Sequence, residues 1–162
     1  MIKLIIVPPA WFRVFAMMVL GAALGSLLTV PIAQSQRKAE DDSTVFHDYR
    51  GVQLGMLADE VRKKLGDPKD KSDDQDFYLF GESETAQIVY DKTRKVITIS
   101  ADFLTAATSV PTCKQVFGAE AEAKADGSVY KLVRFPKAGY WLSYNRTSGN
   151  SPLTTVTLQK IQ

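Results

Sequence analysis

The sequence predicts an α+β domain. Short helices pack on one face of an antiparallel sheet, in two tandem helix–meander repeats preceded by an N-terminal transmembrane helix or signal. Three observations lead there. A capped amphipathic helix followed by three strand-like segments lies between Gly51 and Ser100. A weaker copy of that series recurs 52 residues further on. Ahead of both stands a run of twenty residues without a charge, Val14 to Ala33.

At about 1.5 Å per helical residue such a run spans roughly 30 Å of hydrocarbon, whereas the apolar part of a cleaved signal usually has about 7–15 residues. A membrane anchor through residues 14–33 is therefore expected. Pro31, Ala33 and Ser35 also fit a cleavage site, so an exported soluble form is the alternative. Lys3 and Arg13 precede the run and Arg37 and Lys38 follow it, which gives no clean orientation. The expectation is a C-terminal domain on the extracytoplasmic (periplasmic) side. Gly21 and Gly25, seconded by Ala22 and Ser26, make a small-xxx-small pair suited to a weak homodimer of spanning helices. Residues 34–45 are polar and aperiodic, a linker. Residues 46–162 form the folded domain, with repeat 1 over about 46–104 and repeat 2 over about 105–162.

In the domain, Leu57, Ala58, Val61 and Leu65 recur at helical spacing. Asp59 and Glu60 in the first turn, and Arg62 to Lys64 in the last, suit the helix dipole and read as a solvated face. Gly66 is expected in the left-handed conformation, and Pro68 forbids continuation. Asp76–Phe80, Ala86–Tyr90 and Lys95–Ser100 read as strands, with Asp91–Lys95 as a hairpin loop. The shift of 52 puts Leu65 on Phe117, Val61 on Cys113, Phe77 on Val129 and Ile88 on Tyr140. For the last strand the shift is 59, putting Ile97 on Val156 and Ile99 on Leu158. The extra residues fall in the loop Asn145–Pro152, where a duplicated unit tolerates insertion.

Composition argues against several functions. There are 20 basic and 18 acidic side chains with no basic stripe, so no nucleic acid is expected as a partner. A single Cys113 forms no intrachain disulfide, and a lone His47 builds no multi-histidine metal site. Matched to Val61, Cys113 reads as a small buried hydrophobe. Asp73, Asp74 and Asp76 lack the spacing of a calcium loop and read as a solvated turn. The chain carries no phosphate loop or dinucleotide fingerprint. No catalytic residue, cofactor or metal is expected.

Leu54-Gly55-Met56, Asp59-Glu60-Val61-Arg62 and Leu65-Gly66-Asp67-Pro68 together resemble the helix motif of the SmpA/OmlA (BamE-like) envelope family, over Arg50 to Ser100. That family shares a small αβ unit with the β-lactamase-inhibitor proteins. In the latter it occurs in tandem, with helices on one face of a joined antiparallel sheet. The resemblance implies a non-catalytic extracytoplasmic interaction module, in envelope assembly or maintenance. A secreted inhibitor-type protein binding an enzyme through its sheet face is the alternative. SmpA/OmlA lipoproteins carry a cysteine directly after the signal. Here no cysteine precedes Cys113, so a transmembrane anchor through residues 14–33 or a soluble exported form would take the place of a lipid anchor.

Alternation along the strands assigns faces. Ile88, Tyr90, Ile97, Ile99, Tyr140, Leu142, Val156 and Leu158 are expected in the core. Because Lys131 is hard to bury, Tyr130 and Leu132 are expected inward with Tyr78 and Phe80. Phe77, Leu79, Val89, Val129, Val133 and Trp141 then share the side away from the helices. An apolar patch centred on Trp141 would be a docking surface for an unidentified envelope protein.

Overall fold

The computed structural model describes residues 46–161. The anchor segment 14–33 with its Gly21–Gly25 pair and the linker 34–45 lie outside the described residues. Among those described, no helix is long and apolar enough to cross a membrane.

The order of elements is α1 (Ala58–Leu65), β1 (Asp70–Lys71), β2 (Gln75–Leu79), β3 (Glu84–Tyr90), β4 (Val96–Leu104), α2 (Cys113–Phe117), β5 (Val129–Phe135), β6 (Tyr140–Arg146) and β7 (Leu153–Lys160). All seven strands join one antiparallel sheet in the order β1-β2-β3-β4-β7-β6-β5. Each three-strand meander is local, and the two meet where β4 pairs with β7. The α+β class expected from the sequence is therefore present.

Local chemistry explains the start of α1. Gly55, with φ +83°, turns the chain between Gln53 and Met56, a conformation costly for any residue with a Cβ. The Gly55 N–H donates to the Val96 carbonyl, and the Val96 N–H donates to that of Met56, at 2.8 and 2.9 Å. The turn is thus tied to the first residue of β4. At the N-cap, Leu57 has no side-chain acceptor, but the Glu60 carboxylate accepts from its backbone N–H at 3.0 Å. At the other end Gly66 has φ +85° and ψ −164°. This is a glycine region, but not the left-handed helical one expected, which instead appears at Gly118 after α2. Thr112 caps α2, its Oγ1 accepting from the Gln115 N–H while the Gln115 amide oxygen accepts from the Thr112 N–H.

One row of paired residues crosses six strands: Asp76, Ile88, Ile99, Leu158, Leu142 and Val133. Paired residues in an antiparallel sheet share a face, and this row faces the helices. Ala58 and Val61 from α1 and Cys113 and Val116 from α2 join it in a single buried cluster. Asp76 itself is 0% exposed. Its two oxygens accept from Arg62 Nε and Nη2 at 2.8 Å each, and the Tyr90 hydroxyl donates to Oδ2 at 2.7 Å. The expectation of a solvated Asp76 was wrong. Counted by alternation it lies in phase with Tyr78, inward, and Arg62 leaves the solvent face of α1 to meet it.

The row also corrects the face assignment of β5, while Leu142 in β6 and Val156 and Leu158 in β7 are buried as expected. From Asp76 to Val133 the offset is 57, an odd number, where the expected 52 is even. A one-residue change of phase moves every side chain to the other face. Val129 and Val133 therefore pack against the core, and Tyr130 and Leu132 are exposed at 52% and 40%. Lys131 is accommodated on the helix side because β5 is an edge strand. Its aliphatic stem lies at the rim and its ammonium stands 4.9 Å from the centroid of the Phe117 ring. Ile97 is half-buried rather than core, since the register between Tyr90–Val96 and Val89–Thr98 skips it in a bulge.

Because Arg62 is, among the described residues, the only cation on a fully buried carboxylate, Arg62→Met is expected to lower unfolding free energy by about 3 kcal/mol in urea titrations. The double variant Arg62→Met/Asp76→Leu should regain much of that loss.

Candidate functional site

Two polar clusters on the helix side bind elements to one another. The first is the Asp76 cluster, completed by the Tyr78 hydroxyl at 3.4 Å. Burial, reinforced by Asp76, pushes the Tyr78 hydroxyl up to about 12 and raises that of Tyr90 as well. The second begins at the turn Tyr49–Val52. Arg50, at φ +51°, donates to Glu84 through Nε and Nη2 at 3.0 and 2.9 Å, and the Tyr49 hydroxyl donates to Glu84 at 2.6 Å. The Arg50 guanidinium lies 4.2 Å from the Phe80 ring centroid. Burial alone would raise the Glu84 carboxyl, but the bonds from Arg50 and Tyr49 outweigh it and hold it below its ordinary value. Among the described residues every partner in these clusters belongs to the domain itself, so both read as fasteners.

A cleft of about 460 Å³ lies between α2 and the second meander, lined by Val110, Cys113, Glu120, Val129, Tyr144 and Arg146 among others. Burial raises both the Cys113 thiol and the Tyr144 hydroxyl. A thiol held protonated is a poor nucleophile, so Cys113 acts there as apolar lining.

The opposite face of the sheet is open among the described elements. One of its rows runs Phe77, Gln87, Ser100, Thr157, Ser143, Leu132, and the next runs Leu79, Thr85, Asp102, Thr155, Asn145, Tyr130. From β2 to β5 each row has an apolar residue at either end and polar residues between, and Asp70 of β1 extends the first row beyond Phe77. The middle is internally bonded: Ser100 and Thr157 share a hydrogen bond at 3.0 Å, and Thr155 donates to Asp102 at 2.6 Å. Phe77, Leu79, Tyr130 and Leu132 are four of the six large hydrophobic residues most exposed among the described residues.

Of the six residues expected to form a docking patch, Phe77, Leu79, Val89 and Trp141 lie on this face, and Val129 and Val133 lie on the other. Val89 and Trp141 are half-buried, in a row with Gln75, Thr98, Gln159 and Arg134. The apolar area is therefore centred not on Trp141 but on the two ends, with Tyr130 and Leu132 as members that alternation could have found had the phase of β5 been known. His47 is surface-exposed and 3.3 Å from Asp48. Among the described residues no group of three or more His, Cys, Asp or Glu could hold a metal ion.

Comparison with protein-family models, with curated proteins and with solved structures returns no match for this chain.

Glu84 sets a pH dependence. Its folded pKa lies below its unfolded value, so its contribution to stability is complete above the ordinary carboxylate range and vanishes as pH falls through the folded value. Glu84→Gln is expected to be less stable than the parent at neutral pH, and the gap in urea midpoint should close as pH falls below the ordinary carboxylate range.

Proposed function

We propose that this chain is a non-catalytic protein-interaction module held at a membrane through residues 14–33. Its domain lies on the extracytoplasmic, periplasmic side of a cell envelope and docks an envelope protein through the open sheet face in envelope assembly or maintenance. The observation that carries the reading is the pair of apolar ends on that face, Phe77 with Leu79 and Tyr130 with Leu132. An antiparallel sheet covered on one side normally turns polar residues to water on the other. Large apolar side chains there, around a polar middle, suit a partner that grips both rims.

The near-symmetry of the rows about the β4–β7 seam supports two tandem helix–meander repeats. So does the placement of Ala58 and Val61 from α1, and of Cys113 and Val116 from α2, in one core. The twenty uncharged residues 14–33 support the anchor. The same tandem architecture is what a released inhibitor-type protein would use, and Pro31 with Ala33 and Ser35 favours that second reading through signal cleavage.

Fractionation separates the two: an anchored module remains with membranes after alkaline washing, whereas an inhibitor-type protein is recovered soluble and shortened. For the docking face, Phe77→Ser/Leu79→Ser is expected to leave thermal unfolding nearly unchanged while weakening capture of a membrane partner about 30-fold, the loss of about 2 kcal/mol at an interface anchor. Trp141→Ala should weaken it less. Equal capture by all three chains would remove the open face as the docking surface.

A further inference from the structure

The two edges of the sheet are unlike. On the first side the outer edge of β2 is capped by β1, which pairs with Asp76 and Phe77. On the second side β5 runs seven residues from Val129 to Phe135 and, among the described residues, has no strand on its outer side. It contains no proline, and Pro136 follows directly after it. Unpaired N–H and C=O groups along such an edge are a template for another strand unless something opposes pairing.

Charge decides what can pair there. From Val129 to Tyr140 the chain carries Lys131, Arg134 and Lys137 and no acidic residue. Lys131 lies on the helix side against Phe117, and Arg134 on the open face beside Trp141 and Gln159. Among the described residues neither takes part in an ion pair. The acids nearest in sequence, Glu120, Glu122 and Asp126, stand before the strand, and Asp126 is engaged by Ser128.

Pairing of β5 with a second copy meets repulsion. With the two-fold at Leu132 the two Lys131 side chains become diagonal neighbours, and with the two-fold at Val133 the two Arg134 side chains do. Such neighbours lie about 7–8 Å apart, so like charges disfavour either register. An acidic strand turns the same cations into attraction. Lys131 and Arg134 are three residues apart and on opposite faces, so their partners must be carboxylates three apart, with two apolar residues between them opposite Leu132 and Val133.

We propose that β5 accepts an extended acidic segment of a partner protein as an eighth strand, in the pattern acid–apolar–apolar–acid, antiparallel to Val129–Phe135. Main-chain hydrogen bonds give the affinity, and Lys131 and Arg134 set the register. The site is an edge and does not depend on the open face being a docking surface.

The test uses the intact chain in detergent and a labelled peptide, Thr-Thr-Glu-Val-Val-Glu-Thr-Thr. Binding is followed by fluorescence anisotropy, and hydrogen exchange is followed at the amides of residues 129–135. The peptide is expected to bind and to slow exchange in β5. A form N-methylated on its edge-facing amides should not bind, and a form with lysine for both glutamates should bind at least about tenfold more weakly. Lys131→Glu/Arg134→Glu should reverse the preference between the two charged peptides, while Phe77→Ser/Leu79→Ser leaves binding unchanged. The proposal is overturned by no binding at millimolar peptide, by equal binding of the N-methylated form, or by no response to charge reversal. It is equally overturned if β5 amides are protected by self-association of the chain or by anionic vesicles but not by the peptide.

Discussion

A carboxylate with no exposed surface must be matched by charge and hydrogen bonds, and in this domain Asp76 is matched by a helix. Arg62 reaches it from α1 with two bonds of 2.8 Å, and Tyr90 reaches it from β3. Removing water from a carboxylate costs several kcal/mol, so the pair is a poor source of net stability but a strict source of position. Only one rotation of α1 places Arg62 over Asp76 while Ala58 and Val61 enter the core. The hydrogen bonds between the Gly55 turn and Val96 then fix where the helix begins. The second helix has no such pair. It is held by its Thr112 cap, by burial of Cys113 and Val116, and by Lys131 over Phe117.

The seam between β4 and β7 has the opposite character. It joins the two meanders by backbone pairing, with Ile99 against Leu158 and Ala101 against Val156 on the buried side and bonded Ser, Thr and Asp side chains on the other. Since the polar side chains across the seam bond to one another, the centre of the open face presents few unmet partners. The most exposed apolar side chains of that face stand at the two rims, on β2 and β5, and at one end of the seam, where Leu104 pairs with Leu153. A docking partner would meet two grips about 24 Å apart, five strand spacings of about 4.8 Å, rather than one central anchor. The edge at β5 offers something different in kind, a free backbone flanked by two cations. Face and edge can therefore serve separate partners, or separate parts of one.

Several features were legible in the residues alone, because they depend on short-range chemistry. Helical spacing of Leu57 to Leu65, glycine where φ turns positive, and proline after the helix determine α1 without reference to the rest. The strands and their hairpins follow from alternation and loop composition, and the joined antiparallel sheet follows from two meanders in one chain. Within the first meander the inward set Tyr78, Ile88 and Tyr90 was also readable, since each strand alternates cleanly from a short loop.

Phase in β5 was decided only by tertiary structure, although β6 and β7 were read in phase. Between Phe117 and Val129 the chain runs through a loop whose length does not determine whether odd or even residues face inward, and Lys131 pointed to the wrong choice. A lysine is excluded from the middle of a core but not from its rim, and whether β5 was central or an edge could not be told from the strand itself. The order β4-β7-β6-β5 made it an edge, turned Val129 and Val133 inward, and put Tyr130 and Leu132 on the surface. Asp76 and Arg62 show the same division. Each residue alone reads as solvated, and only the approach of α1 to β2 makes them a buried pair.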